Sequence, residues 1–297
     1  MKLGIIGGSG LYDIDNLEVL ENISLSTPFG NPSQEFIRGK INDIELIFLS
    51  RHGKGHTISP SEINHRANIY GFKKLGVTHI LSFSAVGSLK LELVPRDMVI
   101  IDQYYDRTKQ IEKHTFFRNG IVAHVPFGDP ICPELRELAY KIATKAVNEV
   151  YGKVDGDKPK AVNGGTYVNM EGPAFSTKAE SNVYRSLGMD VIGMTSLIEA
   201  KLSREAEICY CSVAMITDYD CWHADHDHVS SDMVMKTMQS NVIVAKKIVS
   251  EIVSELKTLR GKCSCGNALK NAIVTSHDNI SEENKVKLSP IIAKYIR

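Results

Sequence analysis

Gly4-Ile5-Ile6-Gly7-Gly8-Ser9-Gly10 closes an apolar run with a glycine-rich loop. Backbone N–H groups in such a loop can approach an anion closely, and Ser9 adds a hydroxyl. The segment is not a dinucleotide fingerprint, because no glycine follows Gly10 at the spacing G-x-G-x-x-G requires. A second group, Ser50-Arg51-His52-Gly53-Lys54-Gly55-His56, follows the apolar run Ile44–Leu49. Arg51 offers a planar fork for oxyanions, and His52 an imidazole that switches protonation near neutrality. Ser82-Phe83-Ser84-Ala85-Val86-Gly87-Ser88 ends another apolar run with small hydroxyl residues. Open α/β sheets bind ligands at the carboxyl ends of their strands. Taken together, the three segments therefore predict a phosphate-sized oxyanion cradle.

The C-terminal half supplies a different chemistry. Asn169-Met170-Glu171-Gly172-Pro173-Ala174-Phe175-Ser176 brings an acid, a turn and an aromatic ring, and Gly193-Met194-Thr195-Ser196 ends a short apolar strand. Thr217-Asp218-Tyr219-Asp220 closes the strongest apolar run of the chain. If that segment stays extended, Asp218 and Asp220 point to one face and can address one ligand together. Paired carboxylates also suit a metal, and Trp222-His223-Ala224-Asp225-His226-Asp227-His228 is rich in ligand types. Its spacing matches no zinc pattern such as H-E-x-x-H, so a solvated loop is expected there and no metal centre.

Short apolar runs alternating with helical patterns must position these groups. Strands are predicted at Leu3–Ile6, Ile44–Ser50, His79–Ser84, Met98–Asp102, Ala161–Asn169, Asp190–Gly193 and Ile208–Thr217. Helices are predicted at Pro60–Leu75, Pro133–Val150, Thr177–Leu187, Ser196–Glu205 and from Ser231 to about Leu259. The last carries an apolar stripe through Val234, Met238, Val242, Ala245, Ile248, Ile252 and Leu256. Ser176-Thr177-Lys178-Ala179-Glu180 provides an N-cap with an acid in the following turn. The alternation predicts an α/β fold of one domain over residues 1–297, a mixed twisted sheet flanked by helices. Residues 260–297 form a C-terminal extension whose packing the pattern leaves open. Tyr151–Lys160 is polar and too short for a domain boundary, so it is expected to be a loop.

With 43% hydrophobic and 24% charged residues the chain can bury a full core. Thirty-five basic and thirty-five acidic residues cancel, which leaves no electrostatic case for nucleic acid or a membrane surface. The N-terminus lacks a signal-peptide pattern and no apolar stretch approaches the ~18 residues of a membrane span, so a soluble cytoplasmic protein is expected. Cys132, Cys209, Cys211, Cys221, Cys263 and Cys265 would then stay reduced. Cys263 and Cys265 stand out, because GKCSCGN is a polar setting for core thiols.

The sequence resembles the trimeric purine nucleoside phosphorylases, hexameric in some members, and specifically their 5'-methylthioadenosine phosphorylase branch. The matching pieces run in order: GIIGGSGLYD at Gly4–Asp13, TPFGNPS at Thr27–Ser33, RHGKGHTISPSEINHRANI at Arg51–Ile69, SAVGSL at Ser84–Leu89, NMEGPAFST at Asn169–Thr177, GMTSLIEAKLSREA at Gly193–Ala206 and TDYDCW at Thr217–Trp222. The resemblance implies phosphorolysis of 5'-methylthioadenosine to adenine and 5-methylthioribose 1-phosphate, with inorganic phosphate as co-substrate and no cofactor. Phosphate would be held by Ser9, Arg51, His52, Ser84, the Ala85 backbone and Thr195. Met194 would lie against the ribose and Phe175 against the base, with Met170 and Thr217 also facing the nucleoside. Asp218 and Asp220 would be catalytic at purine N7 and the exocyclic amine, with the Asp218 pKa raised by burial beside Asp220. His124 would reach a neighbouring subunit's 5' pocket in a trimer or a dimer of trimers.

Relatives acting on 6-oxopurines usually carry Asn at position 218, so an acid there points to adenine. Ser231 replaces an apolar residue of eukaryotic relatives near the methylthio group, whereas Val234 keeps that character. The alternative is therefore a broader phosphorylase taking adenosine, inosine or guanosine. Cys263-Ser264-Cys265 resembles a motif of thermophilic archaeal members, where it accompanies disulfides. The resemblance thus implies pairing among Cys132, Cys209, Cys211, Cys263 and Cys265, against the alternative of free thiols.

Overall fold

The computed structural model describes residues 1–8, 11, 14, 16–42, 44–152, 158–223 and 231–296, the side chains of 231–233 excepted. Its strands are β1 (Leu3–Gly7), β2 (Glu18–Ile23), β3 (Phe36–Ile41), β4 (Ile44–Ser50), β5 (His79–Ser88), β6 (Met98–Ile100), β7 (Gln103–Arg107), β8 (Ala161–Asn163), β9 (Thr166–Met170), β10 (Val191–Gly193) and β11 (Cys209–Asp218). The helices are α1 (His65–Lys74), α2 (Pro133–Tyr151), α3 (Lys178–Ser186), α4 (Ser196–Glu205), α5 (Ser231–Glu255) and α6 (Glu282–Ile292).

The strands form one mixed, branched sheet of eleven strands, with the order β2-β3-β4-β1-β5-β10-β9-β7 along its main path. β5 is the trunk. Its first half pairs in parallel with β1, up to Ile6↔Ser82, while Gly87 and Ser88 pair antiparallel with β10. β11 runs parallel to β5 along nearly all of its length. One long strand thus changes neighbours midway, and a crevice opens between the end of β1 and the end of β10. Such a switch point is where an open α/β sheet binds its ligand.

β1, β5 and β11 read as near-continuous apolar runs because both of their faces are covered. α2 and α5 pack on each other and on β11, α4 packs on β5 and β11, and α1 packs against α4 and α6. The predicted stripe is buried at Ala245, Ile248 and Ile252 of α5 and at Leu256 just past its end, while Val234, Met238 and Val242 are half-buried. α3 opens with Thr177 as N-cap in a capping box with Glu180.

Several boundaries differ from the sequence pattern. The predicted strand Ala161–Asn169 is two strands, β8 and β9, because Gly164 and Gly165 turn the chain at φ +97° and +158°. β5 runs on to Ser88, and the predicted helix Pro60–Leu75 starts only at His65, after a turn of 3₁₀ helix at Pro60–Glu62. The C-terminal extension belongs to the body: Ile280, Leu288, Ile291, Ile292 and Ile296 join the main core, and the Tyr295 hydroxyl donates to Glu207 at 2.6 Å. Residues 153–157 of the expected Tyr151–Lys160 loop lie outside the described residues.

Candidate active site

Around the crevice the sheet brings four chain segments together. Ser50 pairs with Gly7, and the Arg51 N–H donates to the Gly7 carbonyl at 3.0 Å, which sets Arg51 and His52 beside the glycine-rich loop. Ser84 and Ala85 lie on β5 just beyond the end of β1. Thr195 caps α4 at the far side. Ser9 and Gly10 fall outside the described residues.

Arg51 is only 2% exposed and is locked by α4. Its Nε donates to Glu199 Oε1 at 2.5 Å, its Nη2 to Glu199 Oε2 at 3.1 Å and to Ser82 Oγ at 2.7 Å, and its Nη1 to the Phe83 carbonyl at 2.9 Å. Glu199 also accepts from Ser82 Oγ at 2.7 Å and from the Tyr210 hydroxyl at 2.9 Å. Burial alone would discharge both partners, but their mutual attraction outweighs it: the Arg51 pKa is raised and that of Glu199 lowered. Four of the guanidinium's five N–H groups are committed by these bonds. The remaining one, on Nη1, is the donor left for an anion.

His52 is half-buried, and its Nδ1 sits 2.9 Å from the Ile58 carbonyl. A carbonyl only accepts, so Nδ1 carries the proton and the neutral ring keeps Nε2 as an acceptor. Burial first, then the Arg51 charge, push its pKa down to about 4. His52 therefore meets an anion as a neutral ring able to accept a hydrogen bond at Nε2, rather than as a fixed cation. Two hydroxyls complete the cradle. The buried Ser84 Oγ has no hydrogen-bond partner among the described residues, and Thr195, an N-cap, makes no side-chain cap bond. Both are available to an oxyanion at the positive end of α4. Asn169 steadies that end by accepting from the Leu197 N–H at 3.0 Å.

Asp218 and Asp220 both close on Gly87, though not by simple alternation along a strand. β11 ends at Asp218, and Asp220 lies in the turn that follows. A bulge displaces the register so that Ile216 faces Val86 while Asp218 faces Gly87, with Thr217 as the extra residue. Bulges re-aim side chains, and here one brings Asp218 Oδ1 and Asp220 Cβ within 3.1 and 3.3 Å of where a Cβ on Gly87 would stand. Asp218 is 6% exposed, and its pKa rises to about 6, chiefly through burial. The Thr217 hydroxyl, at 2.6 Å from Oδ2, opposes that rise, and the Asp220 charge adds to it. Burial raises Asp220 as well.

The remaining nucleoside-facing candidates divide. Met170 and Met194 line a small cleft with His65, His114 and Glu171. Thr217 is buried beside Asp218, and Val234 is half-buried on α5. Phe175 lies at the surface, 49% exposed, in a loop whose Ser176 carbonyl accepts from Cys221 Sγ. His124 is exposed and tied to the C-terminal segment through its N–H to the Ala272 carbonyl, so its own chain does not bring it to the crevice. The Ser231 side chain and residues 224–230 of the histidine-rich segment lie outside the described residues.

Sequence reasoning missed two buried groups. Glu199, in the first turn of α4, reads as an ordinary helix-start acid. His65, fully buried with neither ring nitrogen bonded among the described residues, is held neutral by burial, with its pKa near 3. Their signal was their place inside two of the longest motifs, Arg51–Ile69 and Gly193–Ala206.

Residues 2–254 match the family described as the phosphorylase superfamily. The chain is 49% identical to the S-methyl-5'-thioadenosine phosphorylase of Geobacter sulfurreducens, over 99% of both chains. It is 52% identical to the enzyme of the same name from Koribacter versatilis, over 99% of this chain and 96% of the other. Among solved structures, a methylthioadenosine phosphorylase sourced from an antarctic soil metagenomic library superposes with a TM-score of 0.90, at 42% identity over 98% of each chain. A substituted adenosine/methylthioadenosine phosphorylase from Schistosoma mansoni, in complex with methylthioadenosine, does so with a TM-score of 0.81 at 35% identity, over 91% of this chain and 96% of that one.

Proposed function

The chain belongs to the phosphorylase superfamily, and we propose that it cleaves 5'-methylthioadenosine with inorganic phosphate, giving adenine and 5-methylthioribose 1-phosphate. The observation that carries this reading is a buried Asp218, with its pKa raised to about 6, opposite Gly87 on the strand that also carries Ser84 and Ala85. No cofactor is needed for such a step.

As the bond from C1' to the purine N9 breaks, its electron pair leaves with the base and the ribose gains oxocarbenium character. A phosphate oxygen held by the Arg51 Nη1–H, Ser84, Thr195, the Ala85 backbone and Ser9 stabilises that cation and then bonds C1'. Asp218 gives its proton to N7, so adenine leaves neutral. The neutral His52 Nε2 accepts a hydrogen bond from the phosphate P–OH. Asp220 accepts from the exocyclic amine, while Met170, Met194, Phe175, Thr217, Ser231 and Val234 enclose the nucleoside. No helix among the described residues is long and apolar enough to cross a membrane. The proposed enzyme acts on small solutes in the cytoplasm. The exposed His124 serves the 5' pocket of another subunit in a homo-oligomer, a trimer or a dimer of trimers.

The test is base release from methylthioadenosine, adenosine, inosine and methylthioinosine, each with and without phosphate. Methylthioadenosine turns over fastest, and only with phosphate; faster cleavage of the 6-oxo nucleosides would refute the base assignment while leaving the phosphate site intact. Gly87→Ala probes the carboxylate geometry. Its added methyl would sit 3.1 Å from Asp218 Oδ1 and 3.2 Å from Ile192 Cγ2, so the carboxylate must shift by tenths of an ångström. Base release should fall roughly tenfold to 100-fold with the thermal transition little changed, since small misplacements of reacting groups are costly. An unaltered kcat would show that Gly87 does not position Asp218.

A further inference from the structure

At the other end of β11, four sulfurs converge from three separated parts of the chain. Cys132 is the N-cap of α2, Cys209 opens β11, and Cys263 and Cys265 lie in the segment between α5 and α6. Their Sγ atoms all lie within 4.8 Å of one another. All four are free thiols, with Cys209 Sγ and Cys263 Sγ 3.4 Å apart, so the disulfide pairing that the resemblance implies is not formed. Cys132, Cys209 and Cys265 are buried, and Cys263 closes the group from a half-buried position. Four thiolates about 2.3 Å from one zinc ion stand about 3.8 Å apart at the corners of a tetrahedron, which is the spacing this cluster approaches.

We propose that Cys132, Cys209, Cys263 and Cys265 bind one structural zinc ion, which staples the C-terminal segment to the start of β11 and the N-terminus of α2. The donor set is the argument. Four soft sulfur ligands, with no His, Asp or Glu in the group among the described residues, match the closed, four-coordinate sites zinc occupies. Binding displaces the proton of each thiol, so affinity rises with pH. The amino end of α2 at Cys132 favours the resulting negative charge. Cys209 and Asp218 stand at opposite ends of β11, roughly 30 Å apart at 3.3 Å per residue. The ion therefore holds the tail and takes no part at the crevice. The sequence alone does not reveal the site, because only Cys263 and Cys265 are neighbours; the fold supplies the other two ligands.

The test uses the full chain, reduced and freed of metal without oxygen, titrated with cobalt(II) and then zinc(II). The expected result is a sulfur-to-cobalt charge-transfer band with tetrahedral visible bands, saturating at one cobalt per chain and bleached by zinc. Cys263→Ser with Cys265→Ser loses the band, melts at a lower temperature and keeps the wild-type rate of base release at 25 °C. If that variant does not fold, zinc-edge X-ray absorption of the wild-type chain decides, with a shell of four sulfurs expected. No thiolate band from the reduced chain overturns the proposal. So does a metal-free native chain whose mass reveals disulfides, or iron in place of zinc in the purified protein.

Discussion

Replacing Asp218 with asparagine is expected to slow adenine release from methylthioadenosine roughly 10²- to 10⁴-fold, the range a positioned general acid contributes. Asparagine fills the same space and can still touch N7, but it has no proton to give. The pH profile separates this role from a structural one. A carboxyl group whose pKa is raised to about 6 is protonated below that pH, so kcat/KM of the wild-type enzyme should fall as pH rises through about 6. His52, with its pKa near 4, is neutral across that range and does not produce this limb. In Asp218→Asn the limb near pH 6 disappears.

Stability should move the other way. The folded pKa of Asp218 lies above its ordinary value of 3.8, so the fold favours the protonated acid. Stability contributed by the acid form is then lost as pH rises from about 4 through about 6, by on the order of 3 kcal/mol at most. The asparagine variant escapes that loss and should melt no lower than wild type at pH 7.5. A variant with normal activity, or one that is slow only because it unfolds, would remove Asp218 from the mechanism.

How far the sequence reaches depends on whether a residue's neighbours along the chain are also its neighbours in space. The convergence of Arg51, His52, Ser84 and Thr195 was legible because each ends or follows an apolar run, and the ends of adjacent strands meet wherever the runs form one sheet. Helix α4 was legible to its boundaries, yet Glu199 was not, since nothing in SLIEAKLSRE tells which acid faces Arg51. β2 escaped because EVLENI is an exposed edge strand with no buried face to impose alternation. α6 escaped because Pro290 lies inside it and its polar residues blur the apolar stripe. The pairing of Asp218 with Asp220 was anticipated for the wrong reason: an unbroken strand was assumed, whereas a bulge at Thr217 and a turn do the work. Parallel pairs seldom carry bulges, so no local pattern announces one. The cysteine cluster required three chain segments to be placed at once.

The buried pair beneath the cradle should give the second large effect. Glu199→Leu leaves Arg51 charged, buried and without its carboxylate, and removing one partner of such a pair typically costs roughly 3–5 kcal/mol. For a chain of this size that lowers Tm by about 5–15 °C, measurable by calorimetry. The freed guanidinium also loses the aim that Nε and Nη2 impose on it, so kcat/KM for phosphate should drop roughly 10²- to 10³-fold, as when a preorganised donor is removed. Arg51→Lys should behave alike, because an ammonium cannot bridge both Glu199 oxygens and reach Phe83 at once. The decisive variant combines Glu199→Leu with Arg51→Met. Apolar replacement of a whole buried pair is often neutral or stabilising, so much of the lost Tm should return while phosphate saturation stays defective. Recovery of both would make the pair a packing device. Recovery of stability alone means that Glu199 keeps a buried charge in the core for the sake of the one guanidinium N–H turned toward phosphate.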